Sequence, residues 1–189
     1  MKKYAEKFIS PQEYFAMEEA AEYKSEYYQG EIFAMSGASF NHNVIAGNTF
    51  TALHNSLSDS DCIVFTSDMK IQVDRESHYT YPDISIACGE IEFAENRKDV
   101  IANPLVIIEI LSDSTKDYDR GSKFTAYRNI ASLKDYILID QYSYHIEYFH
   151  KDESGKWSLD EFKNMGDTFK ISSINVELSL KKIYNRVKW

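Results

Sequence analysis

Glu109 lies in the middle of Leu105-Val106-Ile107-Ile108-Glu109-Ile110-Leu111, a run with no other polar side chain. The run is rich in β-branched residues and apolar on both faces, the pattern of a central strand covered on both sides. An unpaired carboxylate there would be costly to bury or would be forced to keep its proton. Glu109 therefore needs a partner, which could be a Lys or Arg, a metal ion or a hydrogen-bond network. On the strand alone, a plain salt bridge serves as well as a metal.

Asp83 is the second carboxylate. It follows Pro82 and opens Asp83-Ile84-Ser85-Ile86-Ala87-Cys88. On a period of two it shares a face with Ser85 and Ala87, small neighbours that leave room for an ion. An Asp at a strand end also commonly bonds nearby backbone N–H groups, so the turn role stays open. A third element is the basic stretch Lys116, Arg120, Lys123, Arg128 and Lys134, set against Asp117, Asp119 and Asp135. In a helix beginning near Asp119, Arg120 and Lys123 stand three apart and share a face that could meet a phosphate or simply water.

The elements that must position these groups follow from pattern. Ser10-Pro11-Gln12-Glu13 is a capping box with Pro in the first turn, and it predicts a helix over about 11–22. Residues 24–37 read as a hairpin turning at Gln29-Gly30. Val44, Ile45, Phe50, Leu53 and Leu57 give a helical stripe between Asn41 and Ser58. Strands are expected at 62–65, 69–73 and 83–88, with Asp74–Thr80 a polar turn and Glu90–Asn103 a polar loop. After Leu111 a helix should run from Asp117 or Asp119 to Asn129, followed by a buried strand at Tyr136–Asp140. A hairpin over 144–150 and 157–163 and an amphipathic, short-helical tail complete the chain. The alternation predicts one α/β domain over 1–189, a mixed sheet flanked by helices.

Length and composition narrow the function. The chain has 189 residues, enough to bury a core without staples. A net charge of −9 argues against coating nucleic acid by bulk electrostatics, though not against a local site that recruits phosphate through a metal. No apolar run reaches the roughly 20 residues that span a bilayer, so no membrane partner is expected. The charged Met1–Lys7 leads into no apolar stretch and does not look like a signal peptide. Cys62 and Cys88 lie apart in apolar runs with no CxxC pair, and read as reduced core residues of a cytoplasmic protein. There is no Gly-x-Ser-x-Gly elbow and no phosphate-cradling Gly-rich loop.

Taken together, Pro82-Asp83, Glu109 and a nearby lysine resemble the site of the PD-(D/E)XK nuclease superfamily. The lysine usually found two residues after the Glu is absent, because Leu111 stands there. That departure matches one branch, and the chain looks like the Uma-type putative restriction endonuclease family. Glu109-Ile110-Leu111-Ser112-Asp113-Ser114-Thr115 matches its Glu-x-x-Ser-x-Ser-Thr strand end, and Lys123-Phe124-Thr125-Ala126-Tyr127 its Lys-x-x-x-Tyr helix. Gln29-Gly30-Glu31, His42 and Asp135–Asp140 match further family positions, with Gln29, Asp113 and Ile137 departing from it. The resemblance covers about residues 10–150 and implies a restriction-endonuclease-like core, with the hairpin and tail of 144–189 appended.

The resemblance implies a metal-dependent endonuclease that hydrolyses phosphodiester bonds in DNA. Asp83 and Glu109 would hold Mg²⁺, with Mn²⁺ as a substitute, and Glu31 would add a further ligand. Lys123 would orient the attacking water or stabilise the charged transition state. His42 and Arg120 are candidates for substrate contact, and Ser112 for bonding a carboxylate or phosphate or for capping the next helix. A homodimer would suit cutting both strands of a duplex. The rival readings are a module of the same fold that binds nucleic acid or protein without cutting, and a structural protein with Glu109 salt-bridged to Lys123.

Overall fold

The computed structural model describes residues 8–35, 37–94 and 96–189. The Met1–Lys7 segment, read above as unlike a leader, lies outside the described residues. Helix α1 (Pro11–Ala20) starts at the expected capping box, in which Ser10 and Glu13 satisfy each other's backbone N–H groups. Strands β1 (Ser25–Tyr28) and β2 (Glu31–Ala34) form the hairpin. Gln29 and Gly30 both have positive φ, 48° and 89°, the backbone of a tight type I′ turn. A Cβ on Gly30 would also sit 2.3 Å from the exposed Phe8 ring, which would have to move aside.

Helix α2 (Phe40–Ser56) is capped by Ser39 and leads to β3 (Cys62–Thr66), β4 (Lys70–Asp74), β5 (His78–Thr80) and β6 (Ile84–Cys88). The expected turn over Asp74–Thr80 is therefore shorter, because its last three residues pair with β1 and β4. The cause is tertiary: Tyr79 packs with Tyr14 and Tyr27 in a buried aromatic cluster. Next come β7 (Val100–Ile101) and β8 (Val106–Leu111).

A continuous helical stretch follows, made of α3 (Lys116–Tyr118), a π-helical turn (Asp119–Lys123) and α4 (Phe124–Tyr127). The widened turn leaves Asp119, Lys123, Phe124 and Tyr127 all buried. Then come β9 (Asp135–Asp140), β10 (Ile146–Lys151) and β11 (Trp157–Phe162), the last two forming the expected hairpin. The tail differs from its expectation. It forms β12 (Thr168–Ile171), a 3₁₀ turn (Ser172–Ile174), β13 (Val176–Ser179) and only a short helix, α5 (Leu180–Ile183). Phe169 and Ile171 in one strand and Val176 and Leu178 in the other alternate toward the core, a period of two rather than 3.6.

Among the described residues the main sheet has six strands in the order β11-β10-β9-β8-β6-β3, and a second sheet has five in the order β2-β1-β5-β4-β7. β8 is buried along its whole length, running parallel to β9 and antiparallel to β6. Val106, Ile108 and Ile110 face a core shared with Ile45 and Leu53 of α2. Ile107 and Leu111 face the opposite core, shared with Phe124 and Tyr127. Glu109 lies on this second face by period, and the helical stretch covering that face supplies its partner.

The reading of Cys62 and Cys88 as free core thiols is corrected. They sit opposite each other in the β3–β6 pairing and form a disulfide; both are half-buried at the sheet's edge. The reading failed because strand register decides which cysteines meet, and register is set by contacts beyond the local sequence. The cytoplasmic expectation rested on free thiols and loses that basis. No helix among the described residues is long and apolar enough to cross a membrane.

Candidate active site

The β6–β8 register pairs Ile84 with Ile108, which brings Asp83, one residue before β6, beside Glu109. The Asp83 backbone N–H donates to Glu109 Oε2 at 3.3 Å, and the Ile110 N–H donates to Asp83 Oδ2 at 2.7 Å. From the first turn of α2, His42 Nε2 comes within 3.2 Å of the same Asp83 oxygen. The two carboxylates are thus fixed by backbone donors where the approach to β6 meets the interior of β8.

Glu109 Oε1 meets Lys123 Nζ at 2.9 Å and accepts the Tyr127 hydroxyl at 3.0 Å. Thr80 Oγ1 lies 2.9 Å from that hydroxyl on its other side. The Lys123 ammonium also faces Glu26 Oε1 at 3.1 Å and Asp119 Oδ1 at 3.6 Å. Glu26 in turn accepts the Tyr81 backbone N–H at 3.1 Å.

Carboxylates outnumber the ammonium, and the protonation equilibria reflect it. Burial pushes Glu109 well above the ordinary carboxylate range; Lys123 pulls it back, while Asp119, Asp83 and Glu26 add to the rise. Asp119 is also raised, first by burial, with Lys123 opposing. Burial alone would lower Lys123, but Glu109, Glu26, Tyr127 and Asp119 overcome it and hold the ammonium charged well above its usual range. The interior is closed, with Glu109 at 4% and Lys123 at 5% exposure. The opening lies at Asp83 and His42, whose side chains are 17% and 15% accessible.

Asp83, Glu109, Lys123 and His42 therefore come together. Glu31 does not join them: it is exposed beside the hairpin turn, and the carboxylate of this hairpin that meets Lys123 belongs to Glu26. Sequence reasoning missed Glu26. Its signal was alternation, since Glu26 stands between the buried Ser25 and Tyr27 and projects to the other face of β1. Arg120 is held away by Glu147 of β10, through bonds of 2.8 and 2.6 Å. Ser112 bonds Ser114 and Thr115, and its carbonyl accepts from the Thr115 and Lys116 N–H groups, so it organises the start of α3.

The mixed sheet flanked by helices is a restriction-endonuclease-like fold, and in it Asp83 before β6 meets Glu109 inside β8 with a lysine closing on the Glu. The structure superimposes with a TM-score of 0.79 on the crystal structure of a putative nuclease belonging to DUF820 from Anabaena variabilis, at 19% identity, covering 95% of this chain and 99% of that one. Residues 11–181 match the family described as "Uma2: Putative restriction endonuclease", and the chain belongs to that family. Two uncharacterized proteins of Synechocystis sp. are each 37% identical to it, over 93% and 94% of this chain and 91% and 96% of their own lengths.

Proposed function

We propose that the protein is a metal-dependent endonuclease acting on phosphodiester bonds of DNA, with Asp83 and Glu109 as metal ligands and Lys123 as the catalytic cation. The observation carrying this reading is the excess of carboxylate over ammonium around Lys123, next to a pair of backbone-fixed carboxylates that opens to solvent at Asp83. The donors are all hard oxygens, the set that suits Mg²⁺ or Mn²⁺, so the residues present fit such an ion. Asp83 and Glu109 would hold it, with Glu26 the nearer reserve ligand in place of Glu31. A bound divalent cation supplies polarisation of the phosphate and a lowered pKa for the attacking water.

The chain's own groups do the rest. The Ile110 N–H and His42 orient Asp83, and the Tyr127 hydroxyl fixes Glu109 through Oε1. Lys123 keeps its proton at Nζ and offers it to the negative charge that develops on phosphate oxygens, a contribution of about 2.7–4 kcal/mol for one well-placed donor. Cutting both strands of a duplex would favour two copies of the chain, which light scattering would detect.

The non-cutting reading has one observation in its favour, that Lys123 is engaged by three carboxylates. Calorimetric Mn²⁺ titration of wild type, Asp83→Asn and Glu109→Gln, with plasmid nicking assays in parallel, separates the two. Uptake and nicking by wild type alone support the nuclease. Absence of both in wild type favours the binding module.

A further inference from the structure

The edge of the main sheet carries a second set of metal-ligating side chains, apart from the carboxylates around Lys123. β3 is the edge strand and pairs with β6, where Cys62 stands directly opposite Cys88 with Cα atoms 3.9 Å apart. Directly opposite residues of an antiparallel pair project to the same face, so the two sulfurs stay neighbours whether or not they are bonded. Asp61 precedes Cys62, and its Oδ1 lies 3.8 Å from Cys62 Sγ. One donor atom from each of the three residues lies within 4.8 Å of the other two.

The turn before β3 holds the third donor in place. The Cys62 N–H donates to Ser60 Oγ at 3.2 Å, and that hydroxyl donates to the Leu57 carbonyl at 2.7 Å. The Gly89 N–H, next to Cys88, donates to the Asp61 carbonyl at 3.1 Å. Beyond Cys62, the Asp61 carboxylate has no hydrogen-bond or ion-pair partner among the described residues. All three donors can be reached from solvent, since Asp61 is exposed and both cysteines are half-buried. The surrounding charge favours a cation: residues 57–66 and 84–94 hold Asp59, Asp61, Glu90 and Glu92 and not one Lys, Arg or His.

The chemistry of these donors depends on redox state. A dithiol reductant gives two electrons and two protons, which break the S–S bond and leave two thiols, while the reductant itself becomes a disulfide. A divalent cation then displaces the two thiol protons and binds the thiolates. Thiolates are soft donors that suit Zn²⁺ or Cd²⁺ rather than Mg²⁺, unlike the hard oxygens of Asp83 and Glu109. Around a tetrahedral Zn²⁺, neighbouring donors stand about 3.8 Å apart, a spacing the released side chains reach by rotation about χ1. Three protein donors leave the fourth position to water.

We infer that Cys62, Cys88 and Asp61 form a Zn²⁺ site in the reduced protein, completed by water. β3 and β6 are then bridged by a disulfide under oxidising conditions and by the ion under reducing ones. The inference is independent of the nuclease reading, because it uses none of the groups around Lys123.

The test starts from protein reduced with a trialkylphosphine, which takes oxygen from water to become its oxide and leaves water's two protons on the sulfurs. The product is desalted without air and checked by thiol count and circular dichroism. Cd²⁺ is the first probe, because its bond to thiolate absorbs in the ultraviolet and its bond to carboxylate does not. Reduced wild type should develop that band to saturation at one equivalent, and the oxidised protein should not. A Cys62→Ser, Cys88→Ser variant should show no band. Zn²⁺ affinity is then read by competition with a chromophoric chelator. Asp61→Asn, which keeps both thiols, should weaken it by about tenfold or more. Absence of the band in reduced wild type, loss of the fold on reduction, or unchanged Zn²⁺ affinity in Asp61→Asn overturns the inference.

Discussion

Lys123 Nζ lies closer to Glu109 Oε1, at 2.9 Å, than to Glu26 or Asp119, although Glu109 is on a central strand and Lys123 on the helix that covers it. The π-helical turn ends at Lys123 and leaves it pointing into the sheet. A lysine two residues beyond the glutamate would lie on the same strand face. Here the same meeting is achieved across two elements, and Leu111 keeps its place in the core.

Glu109→Gln separates an ion-pair core from a metal site. Breaking a buried pair that stands alone costs about 3–5 kcal/mol, because the remaining charge is stranded. Here Lys123 keeps Glu26 and Asp119, and the substitution relieves crowding among the acids. We expect urea denaturation to show a loss below about 1.5 kcal/mol, since replacing a group already inclined to hold its proton changes little. Mn²⁺ uptake and nicking should disappear. A loss near the upper figure would identify the pair as structural.

Divalent metal should stabilise the fold through these acids. At a hundredfold excess over its dissociation constant, a ligand that binds only the native state adds about 2.7 kcal/mol. Thermal denaturation of wild type should therefore shift upward with Mn²⁺, and Asp83→Asn should not respond. Glu26→Gln should weaken the response, whereas Glu31→Gln should behave as wild type. A lost response in Glu31→Gln would return that residue to the site.

Stability should fall in mild acid because of His78. Its folded value is pushed from 6.5 to about 4, chiefly by burial. The unfolded chain therefore takes up a proton that the folded chain refuses across that window. The contribution is intact above pH 6.5, declines as pH drops through the window, and is lost below about 4, amounting to about 3 kcal/mol. Urea midpoints across this range should fall less steeply in His78→Phe. Parallel curves for the two proteins would show that other groups carry the dependence.

Reducing the Cys62–Cys88 disulfide should loosen the chain. It closes a loop with a sequence separation of 26, for which the entropic contribution is about 3.5 kcal/mol. Thermal unfolding with and without dithiothreitol, beside a Cys62→Ser, Cys88→Ser double variant, measures it. The site stands on β6 and β8 pairing, so Mn²⁺ affinity should be similar in both redox states.

Much of the site was legible because it violates local logic. Glu109 is a charge in an apolar strand, and Asp83 follows a proline at a strand start, so both drew attention without a fold. The parts that were not legible depend on register and on neighbours distant in sequence. Glu26 sits in Ser25-Glu26-Tyr27-Tyr28, which looks like an ordinary half-exposed strand until β5 and the π-helical turn enclose it. β5 itself is only His78-Tyr79-Thr80 and took the appearance of a turn from its polar flanks. The cysteines could not be paired without knowing that β3 and β6 are neighbours. Lys123 was visible, but the helical spacing that grouped it with Arg120 assumed a regular helix, and the widened turn is followed by separate partners for the two side chains.

The acids around Lys123 come from β1, from β8 and from the π-helical turn, and the Asp83 beside them from the approach to β6, so no single stretch of chain contains the cluster. Contacts this distant in sequence form slowly and late, since loop closure precedes their reward. During synthesis the glutamate of β1 leaves the ribosome long before the lysine that neutralises it. A nascent or proteolytically shortened chain ending before Lys123 thus has carboxylates without their cation. Under the proposed nuclease function, such a chain would hold its acids in place without the cation that completes them.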